Sequence, residues 1–110
     1  MTERRKHERV TLDAPLFCDV TPGDGRAFVA IVRDVCLGGL RLELPPDGYL
    51  PAPGERLRIS DCDECVAWVL DGLDAEVAWV GGGHCGLRLV RPELLDAVTL
   101  RRIREDCCLD

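Results

Sequence analysis

Short apolar segments separated by turn residues run along most of the chain, and this pattern predicts a series of β-strands. The segments are rich in β-branched and aromatic residues, and in one of them leucines alternate with charged residues, as on a strand with one buried face. Glycine and proline cluster between them, where turns need restricted or positive φ angles. The first three predicted strands are residues 14–20, 26–33 and 40–44, followed by a proline-rich loop at residues 45–54.

The second half of the chain continues the same alternation of apolar segments and turns. Further strands are predicted around Leu57 and Ile59 and over residues 65–70, 75–80 and 84–90. Many short strands with frequent turns are typical of a small antiparallel barrel or sandwich.

The pattern changes at residues 92–105, which predict an α-helix. Pro92 suits a first helical turn, while acidic residues lie near the start of the segment and arginines near its end. Leu94, Leu95 and Val98 cluster on one side of this helix. We therefore expect a C-terminal helix packed on the β-structure.

Composition points to one globular domain over residues 1–110. Of the 110 residues, 46% are hydrophobic and 31% charged, which is an ordinary globular balance. The net charge of −6 disfavours DNA or RNA as a partner, because an acidic surface repels polyphosphate. No apolar segment is long enough for membrane insertion, and none follows the N-terminus as in a signal peptide, so we expect a cytoplasmic protein.

Positive charge is concentrated in residues 1–10, which hold four basic and two acidic residues. We call this segment the basic arm and expect it to be flexible, ahead of a barrel over residues 14–90. Arg4, Arg5 and Arg9 are spaced so that a curled arm brings several guanidinium groups to one anion. The simpler alternative is a charged terminus that is only solvated.

A second candidate segment, Asp34-Val35-Cys36-Leu37-Gly38-Gly39, follows the second predicted strand. An acidic residue before a glycine pair marks a turn where backbone amides are exposed and a ligand can approach closely. Asp34 could accept hydrogen bonds from a guanine edge or orient an arginine. An ordinary turn between strands is the alternative.

Together the two segments resemble the PilZ domain family. Arg4, Arg5 and Arg9 match the first motif of the family, and Asp34 and Gly39 match the second, with Cys36 where the family usually has serine. The resemblance covers essentially the whole chain. It implies an all-β fold, a small six-stranded antiparallel β-barrel with a C-terminal α-helix.

The resemblance also implies a ligand, because many PilZ domains bind the bacterial second messenger cyclic di-GMP, often as an intercalated pair. The three arginines of the arm would then contact phosphates and guanine edges, and Asp34 would accept from a guanine N–H. Residues around Cys36 and Gly39 would lie beneath the ligand, and ordering of the arm would signal to a separate protein. A thiol hydrogen-bonds more weakly than a hydroxyl. Cys36, in place of the usual serine, is therefore the departure from the family motif that bears on the affinity for cyclic di-GMP.

Two functions from different classes follow. The first is a cyclic di-GMP receptor that relays its signal to an unidentified protein partner. The second is a PilZ-like interaction module in motility or exopolysaccharide regulation that does not bind the nucleotide.

Trp79 is a further candidate site residue, which either stacks on a guanine or packs across a strand. No nucleophile, base and acid fall into a recognisable arrangement, so we do not expect an enzyme.

The seven cysteines include a C-x-x-C at Cys62 and Cys65 that invites comparison with zinc and redox sites. A zinc site would need Cys85 and one cysteine of the C-terminal pair, a spacing that such sites rarely have. A redox pair is disfavoured by the neighbouring acidic residues, which raise thiol pKa values. We therefore expect no metal or cofactor and mostly free thiols, with Cys18, Cys36 and Cys85 as small core residues.

Overall fold

The computed structural model describes residues 9–23 and 25–107, apart from the side chains of Arg9 and Asp13. Six antiparallel strands form a closed barrel, and two α-helices pack beside it. The strands are β1 (Arg9–Pro22), β2 (Phe28–Cys36), β3 (Gly39–Glu43), β4 (Arg56–Ser60), β5 (Leu73–Gly81) and β6 (His84–Leu89). The helices are α1 (Glu64–Leu70) and α2 (Ala97–Cys107), the second preceded by a 3₁₀ turn at Pro92–Leu94.

The barrel closes in the order β1-β2-β3-β6-β5-β4, so every strand has two hydrogen-bonded neighbours. β1 is long enough to pair with β2 along most of its length and with β4 at its end, and a register shift lies between Thr11 and Leu16. It begins at Arg9 and so includes the last two residues of the predicted basic arm. The all-β, six-stranded antiparallel barrel with a C-terminal helix is confirmed.

The core lies inside the barrel, where alternate residues of each strand are buried. The leucines that alternate with charges in the third predicted strand, Leu40, Leu42 and Leu44, are all buried. Cys18 and Cys85 are buried among these aliphatic side chains, whereas Cys36 is only partly covered. The alternating pattern therefore identified the inward face, since successive strand residues point to opposite sides.

The prediction of a strand over residues 65–70 is wrong, because this segment forms α1. Val66 and Leu70, four residues apart, are fully buried on one face of the helix, while Trp68 is 44% exposed. A short apolar segment fits both strand and helix periods. The fold decides between them, because six other strands already close the barrel and α1 packs against α2.

The predicted helix over residues 92–105 is divided into a 3₁₀ turn and α2. The helix α2 begins at Ala97, where the Oδ1 atom of Asp96 accepts a hydrogen bond from the Thr99 N–H at 2.8 Å, as a helix cap does. Among the described residues, neither helix is long and apolar enough to cross a membrane.

This division changes which side of the C-terminal segment is buried. The predicted cluster of Leu94, Leu95 and Val98 is wrong at Val98, which is 71% exposed. Leu95, Leu100 and Ile103 are buried instead, because α2 starts a new helical phase after the 3₁₀ turn.

Candidate functional site

One row of outward-facing residues crosses four neighbouring strands of the barrel. Asp34 of β2 pairs with Arg41 of β3, Arg41 pairs with Gly86 of β6, and Gly86 pairs with Trp79 of β5. We call these four residues the first row. Directly opposite residues on antiparallel strands bring their side chains close together, so the strand register assembles this group.

Asp34 is buried although it lies on the outer face of the barrel. A register shift in β2 between Val32 and Asp34 places it opposite Arg41 instead of in the core. Its side chain is 6% exposed, and its Oδ2 atom accepts from Nε and Nη2 of Arg41 at 2.9 and 2.8 Å. Asp34 therefore pairs with an arginine of the neighbouring strand, and its contact with a guanine edge stays a prediction.

Trp79 lies flat against the barrel because Gly86 opposite it has no side chain. A Cβ atom added at Gly86 would overlap the indole ring at Nε1. The tryptophan still leaves 46% of its surface exposed. The structure therefore shows cross-strand packing of Trp79 against Gly86, and stacking of its exposed surface on a guanine stays a prediction.

We expect Gly86→Ala to displace the Trp79 ring from the barrel surface. In a Trp68→Phe background, Trp79 is the sole tryptophan, and its fluorescence should shift to longer wavelength as the indole enters water. The free energy of unfolding should fall by less than about 1 kcal/mol, because the ring is already half exposed. Gly81→Ala, where the added Cβ meets nothing within 4 Å, is the control and should leave the emission unchanged. An unshifted emission in Gly86→Ala would show that the ring does not depend on this glycine.

A second row lies two residues away on β2, β3 and β6, and it extends to β1. Arg9 pairs with Cys36, Cys36 with Gly39, and Gly39 with Arg88. The Cys36 Sγ atom donates to the Gly39 carbonyl oxygen at 3.6 Å, so the thiol bridges the turn between β2 and β3. A Cβ atom at Gly39 would overlap the carbonyl oxygen of Leu87, which means that this glycine lets β3 approach β6.

The two rows border one open pocket of about 240 Å³. Clefts that enclose a drug-sized ligand have volumes of roughly 300–1,000 Å³. The pocket is therefore too small to enclose a ligand of that size. Residues from both rows line the pocket, namely Asp34, Cys36, Gly39, Arg41, Trp79, Gly86 and Arg88.

Four of the seven predicted site residues, Asp34, Cys36, Gly39 and Trp79, meet at this pocket. Arg4 and Arg5 lie outside the described residues, and the position of Arg9 is described only through its backbone. Since Arg9 pairs with Cys36, which lines the pocket, the backbone of Arg9 lies at the edge of the pocket.

Arg41 and Arg88 are two pocket residues that the sequence reasoning missed. Both alternate with buried leucines, which was the available signal that they face outward. Within residues 9–23 and 25–107, Arg88 makes no ion pair. A guanidinium group with free donors beside a pocket is suited to bind an anion.

Two of the cysteines considered for a zinc or redox site, Cys62 and Cys85, have thiols that are hard to deprotonate. A hydrogen bond with the Cys18 thiol, together with burial, raises the pKa of Cys62, and burial raises the pKa of Cys85 to about 11. Thiols with raised pKa values stay protonated at neutral pH, whereas nucleophiles and metal ligands are thiolates. In the part of the chain that the structure describes, no group of three or more His, Cys, Asp or Glu residues is placed to hold a metal ion.

The chain matches one protein family in sequence and several solved structures in fold. The sequence model of the PilZ domain matches residues 3–105, and no curated protein is significantly similar in sequence. The Bacillus subtilis inhibitor of motility (MotI/DgrA) is 17% identical with a TM-score of 0.63, and the match covers 94% of this chain and 51% of that one. The present chain thus spans about half the length of that protein.

Two isolated PilZ domains are also similar in structure. The PilZ domain of YcgR from Escherichia coli, solved with c-di-GMP, is 18% identical with a TM-score of 0.59, and the match covers 92% of this chain and 88% of that one. The PilZ domain of CeSA from a cellulose synthesizing bacterium is 16% identical with a TM-score of 0.53, and the coverage is 90% and 94%. At these identities the structures establish a shared fold.

Proposed function

The chain belongs to the PilZ domain family, and from that premise we propose that it binds cyclic di-GMP and relays the signal to a separate protein. The pocket carries this proposal, because it joins a carboxylate, two arginines and a half-exposed tryptophan beside a close-packed glycine turn. Cyclic di-GMP presents matching chemistry in two phosphates and two flat purines. The similar PilZ domain of YcgR, solved with c-di-GMP, supports this assignment.

Each pocket residue has a role that follows from its chemistry. The Asp34 carboxylate accepts from a guanine N–H, and the exposed face of Trp79 stacks on a base, a contact that contributes roughly 1–3 kcal/mol in comparable systems. Arg88 donates to a phosphate oxygen through a charge-assisted hydrogen bond. Cys36 and Gly39 support the ligand from below by holding the turn and the strand beside it.

The basic arm completes the site, because the pocket alone is too small and open to enclose a dinucleotide. Arg4, Arg5 and Arg9 contact phosphates and guanine edges from the side opposite the barrel. Charge-assisted hydrogen bonds contribute about 1.5–3 kcal/mol each, so three or four of them support micromolar binding after the cost of ordering the arm. The ordered arm then changes the surface that a downstream protein meets in the cytoplasm.

The second candidate is an interaction module that does not bind the nucleotide. It is favoured by Cys36, whose thiol occupies the usual serine position and is engaged by the Gly39 carbonyl. The similarity to a motility inhibitor agrees with this candidate as well as with the first. Both candidates describe a binding module rather than an enzyme.

Calorimetric titration of the reduced protein with cyclic di-GMP tests the proposal. We expect a Kd in the micromolar range or tighter, and a stoichiometry that separates one ligand from an intercalated pair. Cyclic di-AMP should bind at least about tenfold more weakly, because adenine offers no ring N–H to Asp34. A bound ligand should also raise the melting temperature. Absence of heat at two temperatures with an unchanged melting temperature would leave the interaction module.

A further inference from the structure

The ion pair between Arg41 and Asp34 in the first row bears on how the pocket recognises its ligand. We infer that Arg41 is a positioning residue, which holds the Asp34 carboxylate through Oδ2 and leaves Oδ1 as the oxygen that accepts from the ligand. This inference rests on the proposed binding of cyclic di-GMP.

Both donors of Arg41 bond to the same carboxylate oxygen. Nε and Nη2 lie 2.9 and 2.8 Å from Oδ2 of Asp34, and no donor in residues 9–23 and 25–107 bonds to Oδ1. No side-chain oxygen or nitrogen of these residues is both buried and without a partner. Oδ1 is therefore accessible to solvent on a residue that is otherwise buried, and the residue lines the pocket.

A second cross-strand ion pair on β2 and β3 shows what is particular to Asp34. Arg33 bonds to Oε1 of Glu43 through Nε at 2.7 Å and Nη2 at 2.6 Å, which is the same grip of two donors on one oxygen. The Glu43 side chain is 37% exposed and does not line the pocket, whereas that of Asp34 is 6% exposed. Of these two ion pairs, only that of Arg41 and Asp34 holds a hydrogen-bond acceptor in the pocket.

Fixing the carboxylate in advance favours binding for two reasons. A side chain that is already ordered loses little conformational entropy when the ligand arrives. The guanidinium charge also offsets the carboxylate charge, which would otherwise repel the phosphates of an anionic ligand. Arg41 therefore acts on the ligand through Asp34.

A double-mutant cycle separates this role from a direct contact. The affinity for cyclic di-GMP is measured for the wild type, Arg41→Ala, Asp34→Asn and the double variant. Each single variant should bind about tenfold more weakly, and the double variant should bind no more weakly than Asp34→Asn. A direct contact of Arg41 with the ligand would instead make the two losses multiply, to about a hundredfold.

The variants need controls for charge and for folding. Arg33→Ala removes the matched ion pair and should keep the affinity within about threefold of the wild type. Arg41→Lys keeps the charge but loses the two-donor grip, so its affinity should be intermediate. Thermal unfolding without ligand checks the fold, and Arg41→Gln replaces Arg41→Ala in the cycle if the alanine variant unfolds.

The preference for cyclic di-GMP over cyclic di-AMP is a readout that a purely structural role would not change. We expect Arg41→Ala to reduce this preference, since a loosely held carboxylate discriminates less well between the two bases. Multiplicative losses, or wild-type affinity and preference in Arg41→Ala, would overturn the inference while the proposed function stands. A wild type that does not bind cyclic di-GMP would overturn the proposed function, and the inference with it.

Discussion

Gly39→Ala is expected to lower the free energy of unfolding by about 3 kcal/mol, at the upper end of overpacking effects. The added Cβ would overlap the carbonyl oxygen of Leu87 on β6. Both atoms belong to paired strands of a closed barrel, so neither can move without disturbing the ladder between β3 and β6. The loss of stability therefore arises because the backbone on both sides of the overlap cannot move apart.

Urea denaturation of the ligand-free protein measures this effect. Gly81→Ala is the matched control, since Gly81 is also a strand glycine without positive φ and its added Cβ meets nothing within 4 Å. The control should change the free energy of unfolding by less than about 1 kcal/mol. Equal urea midpoints for Gly39→Ala and Gly81→Ala would show that the close approach of β3 and β6 does not require a glycine. A large difference would mean that this motif residue serves the barrel even without ligand.

Arg5→Ala is expected to weaken the binding of cyclic di-GMP by about tenfold to a hundredfold. The change removes one or two charge-assisted hydrogen bonds, each of about 1.5–3 kcal/mol, partly offset because the arm no longer has to be ordered as fully. The expected loss is large because the pocket on the barrel covers only part of the ligand. In the sequence, Arg5 precedes Arg9 by four residues, and the backbone of Arg9 pairs with Cys36 at the pocket.

The matched control for Arg5→Ala is Arg101→Ala, which removes the same charge from an exposed position on α2. Calorimetry should give wild-type affinity for the control within about twofold, and both variants should unfold like the wild type. Equal affinities for Arg5→Ala and the wild type would exclude Arg5 from the site. Equal losses in both variants would assign the effect to net charge instead of position.

The strands of the barrel were predictable because their signal is local. Alternation of leucines with charges in residues 40–44 directly reports one buried face, and the structure buries all three leucines. The segment over residues 65–70 carried no such alternation, and its apolar run was compatible with a strand or a helix. Its helical state depends on the packing of Val66 and Leu70 against the rest of the fold, which no local pattern contains.

The site was predictable in part for the same reason. Asp34 and Gly39 were found from their spacing, as residues of one turn that are close in sequence. Arg41 and Gly86 were not found, because they join the site only through strand register. One residue of shift in β2 would point Asp34 away from Arg41, so the ion pair exists only once the barrel has formed.

The sequence by itself therefore determined the alternation of the strands, the turns between them, and the residues that match the two motifs of the PilZ family. These properties depend on side-chain chemistry and on neighbours within a few positions. The tertiary structure alone decided that residues 65–70 form a helix, that Arg41 grips Asp34, and that Trp79 lies on Gly86. Each of these depends on contacts between segments far apart in the chain, whose relative position is set only when the barrel closes.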